Sequence, residues 1–264
     1  MKRPHVMVSL DLPRRWQQAH YDLGSRLKQA GCTHYKVHDP FPTMDLAATA
    51  KYLSTSVLPG NSATVMLDNK EHDILSRVLK AVENHLRMGF RLTTVHTMCG
   101  REVLTELAKE FGDAVVAVTT LTSMQEKDLQ EIHSNKKTHA EMELHLGRIA
   151  FDCGIRAGIV CSAPGVPALK EYVKGVPFMT PGIYLPSQGQ SSDQRWAATP
   201  KEAVDFGSNC LIVGRSILGN DDVLEKIKPA NGAKTHYRVV QRGIPVHKPE
   251  EMFKQVLREV GIQQ

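Results

Sequence analysis

The chain has 264 residues, with 33 Lys and Arg against 28 Asp and Glu, a net charge of +5 and 41% hydrophobic residues. This composition is typical of a globular protein and excludes a disordered chain, which is poorer in apolar residues and less balanced in charge. The charge excess is small and no basic stripe alternates with aromatic residues, so we do not expect nucleic-acid binding. A phosphorylated small substrate is compatible with this modest positive balance.

The five cysteines have no Cys-x-x-Cys spacing. An odd count without that spacing argues against a disulfide framework or a structural zinc site and predicts reduced, buried thiols. The N-terminal apolar run is shorter than the roughly 7–15 residues of a signal peptide. No stretch approaches the roughly 18 apolar residues of a membrane span. We therefore expect a cytoplasmic protein without membrane association.

Short β-rich apolar runs alternate with longer amphipathic stretches along the chain. The predicted strands cover residues 6–12, 34–37, 63–68, 92–96, 114–120, 155–161, 176–180 and 210–213. The predicted helices cover residues 16–30, 44–53, 74–88, 101–111, 140–153 and 167–173, and another begins at Thr199 and Pro200. The polar segment 123–137 interrupts the alternation and is expected to be a connection, either a mobile loop over a site or a solvated linker. Segment 182–198, rich in Ser, Gln and Gly, is predicted to be a second loop.

Repeated strand–helix units predict a parallel sheet, and eight of them predict a closed (β/α)₈ TIM barrel. An open doubly wound sheet is the alternative fold. Catalytic residues of such barrels lie at the C-terminal ends of the strands and in the loops that follow. The polar residues that fall at these places are Asp11, Lys36, Asp68, Lys70, His96, Thr122, Gln194 and Arg215.

The chain beyond the last strand is longer than one barrel helix requires. We expect a single domain over residues 1–264, with 229–264 as an additional C-terminal segment ending in an amphipathic helix. Its apolar residues recur on one face between residues 250 and 260. This helix is expected either to pack on the outside of the barrel or to contact a second subunit.

Asp68, Lys70 and Asp73 form an Asp-x-Lys-x-x-Asp motif at the end of the third predicted strand. Side chains two residues apart in an extended strand point the same way, so Asp68 and Lys70 are predicted to lie side by side in the barrel mouth. Neighbouring carboxylates favour a protonated Lys70. A surface salt-bridge cluster is the alternative interpretation, and the position at a strand end favours a site.

Gly214 and Arg215 follow the last predicted strand. Barrels often bind phosphate there, through backbone N–H groups and the start of a short helix. An Arg side chain adds a two-pronged donor for phosphate oxygens. The pair therefore predicts a phosphate site.

Eight stretches resemble orotidine 5′-phosphate decarboxylase, particularly the bacterial type, and they follow the family order. They cover residues 10–11, 36–37, 67–74, 118–124, 158–163, 180–183, 193–195 with 199–200, and 212–217. The Asp-x-Lys-x-x-Asp motif alone also marks sugar-phosphate relatives of the same superfamily. Stretches 121–124, 161–163 and 193–195 are more specific to the decarboxylase.

The resemblance implies roles for the four charged residues of the motif region. Lys36 would bridge the ribose and Asp68, and Asp68 would crowd the substrate carboxylate. Lys70 would stabilise the C6 carbanion and then protonate it. Asp73 would complete the charge array from the partner subunit, because the family is dimeric with sites at the interface. The family uses no metal and no organic cofactor.

The resemblance also implies the residues that bind the nucleotide. Asp11 would bind the ribose hydroxyls, Thr122 would contact the pyrimidine edge, and Pro181 would line the substrate site. The phosphate would be held by Gln194, Gly214 and Arg215.

The sequence departs from the bacterial pattern around the motifs. Tyr184 stands where an Arg usually contacts phosphate, and Arg77 stands where a Thr usually contacts substrate. Arg77 either replaces the missing positive charge or faces solvent. His38 replaces a Gly after Lys36 and Val37.

Three functions remain open from the sequence. The first is decarboxylation of orotidine 5′-monophosphate to UMP. The second is a related sugar-phosphate decarboxylase or aldolase that works through Mg²⁺. The third is a paralogue that binds a nucleotide without turnover, against which the complete charge motif argues, because buried charges are costly to keep.

Overall fold

A computed structural model describes residues 4–10, 19–38, 46–55, 63–187, 195–219, 223–227, 236–241 and 248–262. Eight parallel strands follow one another around a closed barrel, and the last pairs with the first. The strands are β1 His5–Ser9, β2 His34–Val37, β3 Thr64–Glu71, β4 Leu92–His96, β5 Val115–Val118, β6 Gly158–Val160, β7 Phe178–Thr180 and β8 Cys210–Val213. The predicted (β/α)₈ barrel is confirmed, and the open sheet is wrong because β8 closes onto β1.

Helices lie between the strands and after the last one. They are α1 Ala19–Gln29, α2 Leu46–Ser54, α3 Leu75–Arg87, α4 Arg101–Phe111, α5 Glu126–Ile132, α6 His139–Asp152, α7 Val166–Tyr172, α8 Pro200–Phe206, α9 Arg215–Leu218 and α10 Pro249–Glu259. Among the described residues, we find no helix with the length and apolar character needed to span a bilayer.

The strands are short and apolar because both of their faces are covered. All four residues of β5 are buried, as expected for a parallel strand with side chains inside the barrel and helices outside it. The barrel interior is filled by the side chains of Met7, Met66, Leu92, Val116, Val118, Val160, Met179, Cys210 and Ile212. All five cysteines are free thiols, and four of them are buried, as predicted.

Helices α6 and α8 begin with reciprocal caps that the sequence encodes locally. In α6 the Thr138 hydroxyl accepts from the Glu141 N–H at 3.2 Å, and Glu141 Oε2 accepts from the Thr138 N–H at 2.8 Å. Thr199 and Glu202 make the same exchange at the start of α8, where Pro200 is the first helical residue. The predicted helix start at Thr199 and Pro200 is confirmed.

The predicted polar connection over residues 123–137 is wrong in part, because it contains helix α5. The Gln125 N–H donates to Asp128 Oδ2 at 3.3 Å at the start of this helix. Leu129 is the buried residue of α5. A seven-residue helix with one buried apolar residue shows no helical periodicity of hydrophobic residues. The hydrophobic pattern of the sequence therefore could not predict α5.

Several strand boundaries also differ from the prediction, among them the start of β6 and the end of β3. Strand β6 begins at Gly158 rather than at residue 155, because Ile155 N–H donates to Ala150 O at 3.1 Å and continues the end of α6. Strand β3 runs three residues past Asp68 to Glu71. This extension carries the charge motif into the barrel mouth.

After the barrel, β9 Val223–Ile227 pairs with β10 His236–Gln241 in an antiparallel two-stranded sheet. The apolar pattern of the chain predicts no strand in this region. Residue 229, the predicted start of the additional segment, lies outside the described residues.

Helix α10 packs on the outside of the barrel, against α1 and α9. Phe253, Val256 and Leu257 are buried in one apolar cluster with residues of β1 and α1, among them Val6 and Leu27. An ion pair between Arg26 and Glu250, 2.7 Å apart, lies at the edge of this contact. The predicted amphipathic helix is confirmed, and its apolar face packs against the barrel.

We propose that residues 1–264 form a single cooperative domain that includes α10. Phe253→Ala removes a fully buried ring and leaves a cavity, so we expect it to lower the free energy of unfolding by about 3–5 kcal/mol. Lys254→Ala, on the exposed face of the same helix, is the control and should change it by less than about 0.5 kcal/mol. Urea unfolding followed by circular dichroism measures both. Equal, small effects would mean that α10 is a separate appendage.

Candidate active site

The barrel mouth contains one carboxylate held between two ammonium groups. Lys36 Nζ and Lys70 Nζ both lie 2.9 Å from Asp68 Oδ2. Asp68 and Lys36 are each 7% exposed. Lys36 comes from β2, and Asp68 and Lys70 come from the neighbouring strand β3, so the pairing of these strands builds the cluster. The predicted proximity of Asp68 and Lys70 is confirmed.

The second oxygen of this carboxylate is held by a residue that the sequence analysis did not identify. The buried Thr94 hydroxyl donates to Asp68 Oδ1 at 2.9 Å and accepts from the Lys70 N–H at 2.9 Å. Thr94 lies in β4, the next strand around the barrel. The available signal was the pair of hydroxyl side chains, Thr93 and Thr94, in the middle of β4, since buried parallel strands are usually continuous apolar runs.

These contacts determine the ionisation of Asp68. Burial alone raises the pKa of its carboxyl group, but the charges and hydrogen bonds of Lys36 and Lys70 lower it by more, so the net pKa is below its ordinary value. Asp68 is therefore an anion at neutral pH, and its two lysine partners stay close to it.

Lys70 has an unusual backbone conformation. Its φ is 53°, in the left-handed region that non-glycine residues rarely adopt. The register between β3 and β4 shifts between Leu67 and Glu71, so the strand is irregular at this point. Such conformations cost about 1–3 kcal/mol and persist where surrounding contacts impose them. Here the hydrogen bond from Lys70 N–H to Thr94 holds the conformation, and the irregularity, rather than simple alternation, sets the direction of the Lys70 side chain.

Asp73 does not join this cluster. Its carboxylate accepts from the Ile74 N–H at 2.7 Å and pairs with Arg77 at 3.3 Å. The hydrogen bond from Ile74 is the main cause of the lowered pKa of Asp73. Arg77 is largely exposed and directed to Asp73.

Thr122 lies in a turn between β5 and α5, which we call the 121–124 turn. Its carbonyl oxygen accepts from the Arg195 N–H at 3.3 Å. The indole N–H of Trp196 donates to Met124 O at 3.2 Å. The loop that follows β7 therefore returns to the barrel across the 121–124 turn.

The predicted phosphate residues fall only partly within the described structure. Gly214 precedes α9, and Arg215 is its first residue, directly after β8. Pro181 follows β7, and the Tyr184 N–H donates to Ala198 O at 3.1 Å. Asp11 and Gln194 lie outside the described residues.

His96 ends β4 and stacks against His72, with ring centroids 5.5 Å apart. Burial, together with the nearby positive charges of His72 and Lys70, lowers the pKa of His96 to about 4. It is therefore neutral at pH 7. Its Nδ1 accepts from the Met98 N–H at 3.3 Å. The described residues contain no group of three or more His, Cys, Asp or Glu side chains placed to share a metal ion.

The chain is similar in sequence to proteins of one enzyme family. Residues 4–230 match the profile of the Orotidine 5′-phosphate decarboxylase / HUMPS family. An orotidine 5′-phosphate decarboxylase of Pseudomonas aeruginosa is 34% identical over 218 residues, which covers 80% of this chain and 89% of the relative. The enzyme of the same name from Pseudoalteromonas translucida is 37% identical over 174 residues, covering 63% of this chain and 73% of the relative.

Solved structures show the same fold. The crystal structure of orotidine 5′-phosphate decarboxylase from Lactobacillus acidophilus superposes with a TM-score of 0.69 at 23% identity, covering 98% of this chain and 99% of that one. The protein of the same name from Pyrococcus horikoshii gives a TM-score of 0.65 at 17% identity, covering 97% and 98% of the two chains.

Proposed function

This chain belongs to the Orotidine 5′-phosphate decarboxylase / HUMPS family, and we propose that it decarboxylates orotidine 5′-monophosphate to UMP. The two relatives described above are both named orotidine 5′-phosphate decarboxylase. The observation that carries the proposal is the Lys36–Asp68–Lys70 cluster at the mouth of the barrel.

The reaction needs a fixed cation. Loss of CO₂ breaks the bond at C6 and leaves its electron pair on that carbon, where no adjacent carbonyl delocalises it well. Stabilisation must then come from charges already in place where the negative charge develops. In our proposal the Lys70 ammonium supplies that charge and afterwards donates a proton to C6. Its side chain is 35% exposed, so a ligand can reach it and solvent can restore its proton.

In the same proposal Asp68 acts on the ground state. Its buried carboxylate repels the substrate carboxylate, and this repulsion disappears when CO₂ leaves. Lys36 and Thr94 hold Asp68 in place, so it cannot turn away from the substrate. Binding energy from the distant phosphate offsets the cost of bringing two anions together.

For substrate binding, we assign the roles implied by the family resemblance. Arg215 and Gly214 would hold the phosphate together with Gln194, and Arg supplies the two-pronged contact suited to it. Thr122 and Pro181 would line the pyrimidine side. Asp11 would bind the ribose hydroxyls. The mechanism requires no cofactor.

Absorbance at neutral pH in the presence of EDTA tests the reaction with orotidine 5′-monophosphate. We expect turnover by the wild type and its nearly complete loss in Lys70→Ala, with UMP binding still measurable by calorimetry. Arg215→Ala should instead weaken UMP binding strongly. Lys109→Ala, in an exposed ion pair on α4, is the charge-matched control and should keep turnover within about twofold.

Each failure points to a different error. Turnover in Lys70→Ala within about tenfold of the wild type, or roughly 1.4 kcal/mol of barrier, would disprove the role of Lys70. Loss of wild-type turnover in EDTA with recovery in Mg²⁺ would favour the sugar-phosphate class. UMP binding without any turnover would favour a nucleotide-binding paralogue.

We further propose a homodimer in which Asp73 acts in the partner's site. Within one protomer Asp73 pairs with Arg77 rather than with the Lys70 cluster. It lines a groove of about 560 Å³ that also contains Ile74 and Met98. These two apolar side chains are 63% and 40% exposed, as expected for a surface that a second subunit covers.

Mixing two inactive variants tests this arrangement. A hybrid of Lys70→Ala and Asp73→Asn protomers has one site with both wild-type residues if Asp73 crosses the interface. Random reassociation at equal amounts should then restore about a quarter of wild-type activity, since half of the dimers are hybrids with one active site each. Recovery should be absent if Asp73 acts within its own protomer. Sedimentation of each variant provides the control for dimer formation.

The cytoplasmic location and the absence of nucleic-acid and membrane partners remain predictions of the sequence. Cell fractionation tests the location.

A further inference from the structure

A second polar cluster lies behind the 121–124 turn and takes no part in the reaction described above. Glu143 of α6 is completely buried. Its carboxylate accepts from Ser162 N–H and Ser162 Oγ, both at 2.7 Å, and from Thr120 Oγ1 at 3.3 Å. These donors lie two residues beyond the C-terminal ends of β5 and β6, which places the cluster at the catalytic end of the barrel.

The space around this carboxylate is tightly closed. A Cβ atom at Gly165 would overlap Glu143 Oε2, so any larger residue there would have to displace the carboxylate. The described residues place no Lys or Arg within ion-pair distance of Glu143, and its nearest basic group is His139 Nδ1, 3.6 Å from Oε2. A lone anion here would be costly, because nothing in its surroundings carries a full positive charge.

His139 is the partner of Glu143 and is equally buried. Its Nε2 lies 2.9 Å from the Thr120 hydroxyl. That hydroxyl donates its own hydrogen to Glu143 Oε1, so the His139 ring donates to Thr120 from Nε2. A neutral imidazole has one N–H, which cannot serve both the Thr120 hydroxyl at Nε2 and the Glu143 carboxylate that faces Nδ1. One additional proton, on either Glu143 or His139, satisfies the pair.

Trp196 connects the Glu143–His139 pair to the 121–124 turn, which is predicted to contact the substrate. The His139 and Trp196 rings stack with centroids 4.3 Å apart and an interplanar angle of 21°. Trp196 in turn donates to Met124 O, and its neighbour Arg195 donates to Thr122 O. The pair thus supports both the turn that carries Thr122 and the chain that follows Gln194.

We propose that Glu143 and His139 share one proton and act as a buried positioning pair, which holds the 121–124 turn and Trp196 in the geometry that binds the nucleotide. Loss of this proton leaves a buried anion beside an imidazole lone pair and loosens the turn. This inference rests on the proposed function for the identity of the nucleotide.

The expected pH range follows from the surroundings of the pair. Burial raises the pKa of Glu143 to about 7, although the hydrogen bonds from Ser162 and Thr120 lower it. Burial lowers the pKa of His139 to about 4, opposed by the Leu121 carbonyl and by the charge of Glu126. Glu126 Oε2 also accepts from the backbone N–H of His139 at 3.1 Å. The Cys161 thiol also faces Glu143, and burial and that carboxylate both raise its pKa. The shared proton is therefore lost as the pH rises through about 7.

The contribution of this proton to the stability of the folded protein has the same pH dependence. A carboxyl group with a raised folded-state pKa binds more protons in the folded than in the unfolded protein. Its contribution to stability is therefore present at low pH and is lost as the pH rises through the folded pKa. Glu143→Gln removes this titration while keeping size and shape.

The test compares the wild type with Glu143→Gln between about pH 6 and about pH 8.5, by initial rates with orotidine 5′-monophosphate. We expect the ratio of wild-type to variant KM to rise by about fivefold to tenfold over this range, with kcat kept within about threefold. Taking the ratio cancels the titration of the substrate phosphate. Glu141→Gln, exposed on the same helix, is the matched control and should follow the wild type at every pH.

A second readout does not depend on turnover. The chain has two tryptophans, so in a Trp16→Phe background Trp196 is the only reporter. Its emission should change with a midpoint near pH 7 and should stay constant when Glu143→Gln is added. If turnover is absent but this titration is present, the proposed function fails and the pair stands.

A pH-independent KM ratio, a loss in kcat with KM unchanged, or a Trp196 titration that persists in Glu143→Gln would each overturn the proposal. If Glu143→Gln does not fold, Trp196→Leu takes its place, because Trp196 is only half-buried. It should raise KM by about tenfold and abolish the pH step, and an unchanged KM would equally overturn the positioning role.

Discussion

The Asp68 carboxylate, held between two ammonium groups and one hydroxyl, is the interaction on which the site depends. Lys36 and Lys70 keep it ionised although burial opposes this. Thr94 fixes its other oxygen. Removing one partner of a buried ion pair is costly because the other charge stays desolvated. The cluster therefore works as a unit, and its geometry is set before any ligand arrives.

The barrel explains how residues far apart in sequence form this unit. Lys36, Asp68 and Thr94 come from β2, β3 and β4, which are neighbours in the closed sheet. Parallel strands end at the same edge, so their polar residues converge there. The irregular end of β3 then turns the Lys70 side chain onto Asp68, at the cost of a left-handed backbone. The barrel thus sets the positions of the site residues and also imposes the strained backbone conformation of Lys70.

The sequence predicted the barrel and the charged motif because both leave periodic or local signals. Eight apolar runs separated by amphipathic stretches indicate the fold, and the spacing of Asp68 and Lys70 indicates their contact. Thr94 and Glu143 were not predicted, because each depends on which strand or helix lies beside it. Helix α5 was missed for lack of an apolar stripe, and the left-handed Lys70 arises from a register shift that composition does not encode.

The most direct test of the central claim compares Thr94→Val with Thr93→Val in the decarboxylation of orotidine 5′-monophosphate. Both hydroxyls are buried in β4, but Thr93 contacts His85 Nδ1 at 2.9 Å and not the charge cluster. Each change should cost about 1–3 kcal/mol of stability through a lost buried hydrogen bond. The account predicts that kcat falls by about 100-fold, or roughly 2.7 kcal/mol, in Thr94→Val alone. Equal kcat values in the two variants would contradict the claim that the orientation of Asp68 is essential.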